Sequence, residues 1–179
     1  MKMISILRGI NVSGQKQIKM ADLVNLFESL GFNEVTTYIQ SGNVIFSGDD
    51  SDLESLKIQI EEAIERTFHF HVPVILRTHD DLSRIIHACP FGEIDANRDG
   101  TKYLVTFLSS EPSEDKIIEI GEFVIAPERL EVINREVFLY CPNGYGKSKL
   151  SNTFLEKKLG VFTTTRNWKT VLKLRELSS

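Results

Sequence analysis

Two polar, glycine-bearing segments of this chain carry the residue types that bind anions. Residues 7–16 read LRGINVSGQK, and residues 142–149 read PNGYGKSK. Glycine lets backbone N–H groups approach a ligand closely, and arginine and lysine add positive charge. Each segment follows an apolar run typical of a strand and precedes a run typical of a helix, whose first N–H groups lack helical partners. The two segments therefore predict anion binding without identifying a reaction.

Four short segments supply the side chains and glycines that we expect to contact the ligand. They are Arg8, Gly9, Asn11, Gly14 and Lys16; Ser41, Gly42 and Asn43; Gly146, Lys147 and Ser148; and Arg166, Asn167 and Trp168. The first, second and fourth segments lie at the ends of predicted elements, where ligands are often held. We expect these three segments to meet in one pocket.

Each of these segments also has a purely structural interpretation. Arg8 could clamp backbone carbonyls, and residues 146–148 could be a plain connection with exposed lysines. Trp168 could stack on a base, but a single tryptophan at a helix start more often packs into the core beside a capping asparagine. Gly146-Lys147-Ser148 resembles the end of a P-loop, yet that pattern needs glycine where the chain has Cys141, which disfavours nucleotide hydrolysis of that type.

No pair of side chains resembles a nucleophile with its base, so whether the protein is an enzyme stays open. Cys89 and Cys141 lack CxxC spacing and are expected to be free thiols. His69 and His71 share one face of an extended segment, but no third ligand follows at a recognisable spacing. The sequence predicts no metal and no cofactor, and any catalysis would rest on positioning and charge stabilisation.

The composition, 41% hydrophobic and 26% charged over 179 residues, is typical of a globular protein. Arg8 interrupts the first apolar stretch too early for a signal peptide or a membrane span, which favours a cytoplasmic protein without a membrane partner. The net charge of -4 is unevenly spread, because residues 145–179 hold eight Lys or Arg against two Glu. This basic end leads to an alternative function, a non-enzymatic module for nucleic acid or a protein partner. The aromatic pattern of an RNA-recognition motif is missing, so nucleic acid is not favoured over a small anionic ligand.

The elements that position the first candidate segments follow from hydrophobic spacing. Apolar and β-branched runs predict strands at 3–8, 34–40, 43–47 and 72–77. Helices are predicted at 20–30 and from 53 to 68, the second after a capping box at Ser51-Asp52-Leu53-Glu54. Ser41-Gly42 marks a hairpin turn. The order βαββαβ is that of a ferredoxin-like half over residues 1–78.

A second half with the same order is predicted over residues 101–179. A capping box at 78–81 begins a connecting helix that Pro90 ends, and residues 91–100 are expected to form an exposed loop. The following elements are a strand at 102–108, a helix at 113–120, a hairpin at 129–140, a helix at 148–159, a short strand at 162–165 and a last helix capped by Asn167. The predicted fold is α+β, with tandem ferredoxin-like halves, joined through residues 79–100, packed into one compact unit.

Four strings of the sequence resemble one protein family. They are LRGINV at 7–12, MADL at 20–23, TYIQSGNV at 37–44 and TTRNWKTV at 164–171, and together they resemble the bacterial domain-of-unknown-function family 1697. The family pattern usually has glycine at the position of Ser13. The resemblance spans nearly the whole chain and implies a single α+β unit with two ferredoxin-like halves. The family has no established activity, so the resemblance implies no function.

Overall fold

The first half of the chain folds into a four-stranded antiparallel sheet with two helices. The computed structural model describes residues 1–49 and 51–179. The elements are β1 (Lys2–Leu7), α1 (Met20–Ser29), β2 (Asn33–Tyr38), β3 (Asn43–Ser47), α2 (Leu53–Phe68) and β4 (Val74–Thr78). The strand order β2-β3-β1-β4 confirms the ferredoxin-like half.

The second half repeats this arrangement. Its elements are α3 (His79–His87), α4 (Ala96–Asp99), β5 (Tyr103–Leu108), α5 (Glu114–Gly121), β6 (Arg129–Ile133), β7 (Glu136–Tyr140), α6 (Asn152–Leu159), β8 (Thr163–Asn167) and α7 (Trp168–Leu177). The sheet has the order β6-β7-β5-β8, in which each strand takes the place of its counterpart in the first sheet. The prediction of two tandem ferredoxin-like halves in an α+β protein is therefore confirmed.

Contacts along the chain define two units. Met1–Ser83 and Leu174–Ser179 form one unit, and Arg84–Lys173 forms the other. The boundaries predicted from the sequence, 1–78, 79–100 and 101–179, stay predictions.

Each half has its own apolar core between the sheet and its helices. In the first half Met3 and Leu7 of β1 pack with Phe27 of α1 and Ile60 of α2. In the second half Leu104 and Leu108 of β5, with Leu155 and Leu159 of α6, belong to the corresponding cluster. Burial of each large apolar side chain contributes about 1.5–3 kcal/mol, so these two clusters dominate the stability of the halves.

Both faces of β1 are buried. Ile4 and Ile6 alternate with the core residues Met3 and Leu7, and all four are inaccessible to solvent. A strand with both faces covered needs apolar residues at successive positions and not only at alternate ones. This requirement explains why β1 is a continuous apolar run.

The duplication extends to single residues. Arg77 in β4 pairs with Ile4, and Arg166 in β8 pairs with Val105, at equivalent register positions of the two sheets. Both arginines are buried, and each Nη1 donates a 2.9 Å hydrogen bond to the carbonyl of the residue before it. The residue after each arginine caps the following helix: Thr78 Oγ1 accepts from Asp81 N, and Asn167 Oδ1 accepts from Thr170 N. The predicted capping box at 78–81 and the predicted cap Asn167 are confirmed.

The cap of α2 and the start of α6 differ from prediction. Asp52, and not Ser51, caps α2 by accepting a hydrogen bond from Ser55 N. Helix α6 begins at Asn152, capped by Ser151, and not at residue 148. The N-cap hydrogen bond depends on the backbone conformation at the cap residue, and that local geometry is not visible in the residue types alone.

The predicted exposed loop at 91–100 is wrong in part. Asp95 accepts hydrogen bonds from the backbone N–H groups of Asn97 and Arg98 and so begins the short helix α4. Gly100, at the end of that helix, is buried. An aspartate that satisfies the first free N–H groups stabilises even a single turn of helix.

Gly42→Ala is expected to destabilise the protein much more than Gly9→Ala. Both glycines have positive φ, +87° and +70°, but a Cβ at Gly42 would lie 2.6 Å from Ile10 Cδ1, whereas a Cβ at Gly9 meets nothing within 4 Å. We expect Gly9→Ala to cost about 1 kcal/mol from backbone strain alone, and Gly42→Ala about 3 kcal/mol from strain and overpacking. Urea unfolding of both variants measures the difference. Equal losses would show that the packing at Gly42 relaxes freely.

Candidate functional site

The loop between β1 and α1, residues 8–19, is held in an unusual backbone conformation. Its left-handed positions are Gly9, Asn11, Ser13, Gly14 and Lys16, with φ between +48° and +74°. Within the loop, Gln15 N donates to Val12 O at 2.9 Å and Asn11 N donates to Lys16 O at 3.1 Å. The loop therefore folds back on itself as a defined structure.

The side chain of Asn11 fixes this loop against the β2–β3 turn. Its Nδ2 donates to Ile18 O at 3.0 Å and to Gln40 O at 2.8 Å, and its Oδ1 accepts from Ile18 N at 2.9 Å. Both amide protons of Asn11 are thus used inside the protein. The sequence predicts Asn11 as a ligand contact, and in the structure its side chain positions the segments around it.

The β2–β3 turn has a strained residue at its tip. Ile39 has φ +54° although its side chain is β-branched and 45% exposed. A β-branched residue in the left-handed region is an outlier that costs on the order of 1–3 kcal/mol. The conformation places the next residue, Gln40, where its carbonyl accepts from Asn11.

The remaining residues of this turn have structural contacts. The buried Asn43 donates from Nδ2 to Tyr38 O at 2.8 Å and to Ser41 Oγ at 3.2 Å. The carbonyl of Gly42 accepts from Leu7 N at 2.8 Å, which joins the turn to the end of β1. Ser41, Gly42 and Asn43 therefore shape the turn, and a ligand role for them stays a prediction.

An open cleft of about 560 Å³ lies between this loop, the start of α1 and the end of α2. Its lining is formed by Asn11, Gly14, Gln17, Ile18, Lys19, Asp22, Gln40 and Phe68. The lining thus combines three carboxamide residues, a lysine and an aspartate with an isoleucine and a phenylalanine. The volume of the cleft lies in the range of small-molecule sites, and its lining is more polar than is usual for them.

Helix α1 begins at the cleft without a side-chain cap. Lys19 is the N-cap residue, in an extended conformation with ψ 137°, and its side chain makes no capping hydrogen bond. The first N–H groups of a helix carry a partial positive charge, which favours an anion nearby. Asp22 in the first turn partly offsets this charge.

Only Asn11 and Gly14 of the predicted first segment line the cleft. Arg8 donates its backbone N–H to Pro73 O at 3.0 Å, and the Lys16 ammonium donates to His71 O at 2.7 Å. Lys16 therefore anchors the loop to the segment after α2. Arg8, Gly9 and Lys16 are not in the described lining of the cleft, and their ligand roles stay predictions.

Six lining residues are not among the ligand contacts predicted from the sequence: Gln17, Ile18, Lys19, Asp22, Gln40 and Phe68. The predicted helix start at residue 20 could have pointed to Lys19 and Asp22, because Lys19 directly precedes the first turn of that helix and Asp22 lies within it. Phe68 has no such signal, because it is one apolar position among many in α2. Its place in the cleft follows only from the end of that helix in three dimensions.

The second predicted anion segment, residues 142–149, is folded around a short 3₁₀ helix at Tyr145–Lys147. The N–H groups of Gly144, Lys147 and Ser148 donate to the carbonyls of Cys141, Gly144 and Tyr145. Ser148 Oγ accepts from Leu150 N at 3.0 Å. These three amides are used within the segment, and α6 starts only at Asn152, so the predicted helix start directly after this segment is wrong. The ligand roles of Gly146, Lys147 and Ser148 stay predictions without this support.

The last predicted segment, residues 166–168, is largely buried. Trp168 is 5% exposed at the start of α7, as the structural interpretation predicts. Burial lowers the pKa of the Arg166 guanidinium to about 10, and its Nη1 donates to Thr164 Oγ1 and Thr165 O, both at 2.9 Å. The common pocket predicted for Arg166, Asn167 and Trp168 with the N-terminal loop stays a prediction.

Part of the basic C-terminal segment is engaged in internal contacts. The Lys158 ammonium lies 3.3 Å from Glu119 Oε1 and 4.9 Å from the Phe123 ring centroid. The Arg175 guanidinium donates to Ser83 Oγ at 3.3 Å, and Arg166 is buried. Lys158, Arg166 and Arg175 therefore contribute to folding contacts.

The central strands of the second sheet carry an aromatic cluster that sequence patterns do not reveal. Tyr103 and Tyr140 are paired across β5 and β7 with ring centroids 4.6 Å apart, and Phe91 lies 5.5 Å from Tyr103. The Arg129 guanidinium lies 4.6 Å over the Phe91 ring. Tyrosines on central strands are similar to the base platforms of RNA-recognition motifs, but these rings stack on one another and are partly buried. Mutual packing accounts for the cluster.

Comparison with known proteins identifies the family of this chain. The family model described as "Protein of unknown function (DUF1697)" matches residues 1–138. The chain belongs to this family. It is also similar to the conserved bacterial protein SP0830 from Streptococcus pneumoniae, with 26% identity, a TM-score of 0.73 and coverage of 99% of this chain and 98% of that one. Comparison with curated proteins gives no significant match. The resemblance predicted from the four strings is confirmed.

The described part of this DUF1697 protein offers little else for chemistry. No cluster of three or more His, Cys, Asp or Glu residues suited to a metal ion occurs among residues 1–49 and 51–179. None of the helices in those ranges is long and apolar enough to cross a membrane. Both cysteines are free, and burial raises the pKa of the Cys89 thiol and raises that of the Cys141 thiol to about 12.

Asn11→Ala is expected to release the β1–α1 loop. The substitution removes the acceptor of the Ile18 N–H and both donors to backbone carbonyls, so we expect faster hydrogen exchange at Ile18 and a loss of about 2 kcal/mol in unfolding free energy. NMR-detected exchange measures the first effect and urea unfolding the second. Asn25→Ala, on the exposed face of α1, is the matched control. Unchanged exchange at Ile18 would contradict the role given to Asn11.

Cys141 is expected to resist alkylation in the folded protein. A pKa of about 12 leaves a thiolate fraction of about 10⁻⁴ at pH 8, and the side chain is inaccessible to solvent. Cys89, which is partly exposed, should react with iodoacetamide first, and Cys141 only on unfolding in urea. Mass spectrometry of the modified peptides distinguishes the two. Rapid native labelling of Cys141 would show that its surroundings open readily.

Proposed function

We propose that this DUF1697 protein binds a small anionic or phosphorylated molecule in the first-half cleft, as a cytoplasmic protein. The observation that carries the proposal is the composition of the cleft, in which Lys19 and the uncapped start of α1 share a lining with Gln17 and Gln40. Positive charge selects the anion, and amides supply neutral donors and acceptors that fix its orientation.

The size of the cleft supports a small molecule. Its volume of about 560 Å³ falls within the range of about 300–1,000 Å³ that is usual for metabolite pockets. The loop that forms one wall is already ordered by Asn11, so little conformational entropy would be lost on binding.

The proposal concerns binding and not a reaction. The titratable side chains in the lining are Lys19 and Asp22, and neither lies beside a hydroxyl or thiol nucleophile in that lining. If chemistry occurs, the charge of Lys19 and the helix start would stabilise a developing negative charge.

A nucleic-acid or protein-partner module is the second candidate. It relies on the +6 charge of residues 145–179, of which Lys147, Lys149, Lys157 and Lys169 are exposed. Internal contacts of Lys158, Arg166 and Arg175 weaken this candidate relative to the cleft. It predicts binding that falls steeply with salt, because each neutralised phosphate releases counterions.

A thermal-shift screen against sugar phosphates, nucleotides and short nucleic acids tests the proposal. A ligand at about 100 times its Kd should stabilise the folded state by about 2.7 kcal/mol, which corresponds to a rise of several degrees in Tm at this chain length. Lys19→Gln should remove most of the shift for a phosphorylated hit, because the variant loses the one lysine of the cleft lining.

The matched control is the double variant Lys147→Gln/Lys149→Gln, which removes two exposed lysines of the second half. It should retain the shift. A hit that survives Lys19→Gln and disappears in the control would place the anion in residues 142–149 and overturn the proposal. A hit limited to nucleic acid, with a steep salt dependence, would favour the second candidate.

A further inference from the structure

We propose that the ligand of the first-half cleft is a nucleoside monophosphate. This inference rests on the proposed function and specifies its ligand. The cleft combines three groups that together suit a mononucleotide. They are Lys19 beside the start of α1, Asp22 three residues later, and the aromatic residue Phe68 at the end of α2. A bare phosphate would use only the first of them.

Phe68 supplies the surface for the base. It is the last residue of α2, it packs partly against the first core, and it also lines the cleft. The Phe70 ring lies 6.3 Å from it with an interplanar angle of 23°, which restrains the orientation of Phe68. Nucleobases stack on fixed aromatic side chains in a way that tolerates any base.

Asp22 supplies an acceptor for the sugar. It lies in the first turn of α1, three residues after the N-cap Lys19, and both residues line the cleft. A free anion is repelled by this carboxylate, whereas vicinal ribose hydroxyls donate to it. The pairing of Lys19 with Asp22 therefore favours a phosphate that is attached to a hydroxyl-bearing group.

Gln17 and Gln40 supply the groups that can read the edge of a base. Their side chains line the cleft and make no hydrogen bond to the described residues, in contrast to Asn11, whose amide protons are both used. A carboxamide both donates and accepts, as required by the mixed edge of a nucleobase. The volume of about 560 Å³ is sufficient for base, sugar and phosphate together.

Isothermal titration calorimetry with a graded series of probes tests the inference. The series is inorganic phosphate, ribose 5-phosphate, the four common ribonucleoside monophosphates, adenosine and a short oligoadenylate. We expect at least one mononucleotide to bind about tenfold more tightly than ribose 5-phosphate, because only the nucleotide stacks on Phe68. Adenosine should bind more weakly than the mononucleotide, because it lacks the anion.

Variants assign each part of the ligand to its residue. Phe68→Leu should remove the tenfold advantage of the mononucleotide and leave ribose 5-phosphate binding unchanged, whereas Phe68→Tyr should keep the advantage. Asp22→Asn should weaken ribose 5-phosphate and strengthen inorganic phosphate. The matched controls are Phe162→Leu, which alters an exposed phenylalanine of the second half, and Glu28→Gln, an exposed carboxylate on α1. Neither control should change these ratios.

The failures of the two proposals are distinguishable. If ribose 5-phosphate binds and no mononucleotide binds more tightly, the inference is overturned and the proposed function stands. If neither phosphate compounds nor nucleotides bind, both are overturned. Binding of the oligoadenylate alone, or a tenfold advantage that persists in Phe68→Leu, also overturns the inference. Should Phe68→Leu unfold, as judged by circular dichroism, an advantage that is absent in folded Phe68→Tyr overturns it as well.

Discussion

The side-chain amide of Asn11 joins two segments that regular secondary structure leaves apart. Its hydrogen bonds to Ile18 and Gln40 hold the loop that follows β1 against the turn that precedes β3. The position of α1 relative to the end of the sheet depends on this loop, and so does the direction of the first N–H groups of the helix. The sheet provides a rigid base, and one carboxamide ties together the loop and the turn that form part of the cleft lining.

The second half has the same fold without a long loop of this kind. Between β5 and α5 the chain needs only residues 109–113, whereas the corresponding connection in the first half spans residues 8–19. Ser109 exchanges hydrogen bonds with Phe162, donating its N–H to Phe162 O and accepting from Phe162 N at Oγ. The opening beside them measures about 300 Å³ and contains no lysine or arginine in its described lining. The two halves thus share a scaffold and differ in the loop inserted at one strand end, which is where functional residues are usually added to a fold.

Sequence patterns are sufficient for the scaffold and insufficient for the cleft. The strands and most of the helices follow from apolar periodicity, and the turn between β2 and β3 follows from Ser41-Gly42, where Gly42 takes positive φ. The residue type of Asn11 does not tell whether its hydrogen bonds go to a ligand or to backbone. Phe68 and Gln40 are distant from Asn11 in sequence, and only the folded chain brings them to one lining. Trp168 and Arg166 are the opposite case. Tryptophan and arginine often bind ligands, and the sequence therefore suggests ligand contacts, but both side chains are buried here.

The left-handed backbone of the β1–α1 loop also bears on the rate of complex formation. A loop that must fold around its ligand slows association, because many encounters end before the chain reaches the bound conformation. Here the left-handed positions and the hydrogen bonds of Asn11 fix the loop before any ligand arrives. A molecule that binds in the cleft, as we propose, would therefore meet a preformed wall, and encounter frequency, more than rearrangement of this loop, would govern its rate of association.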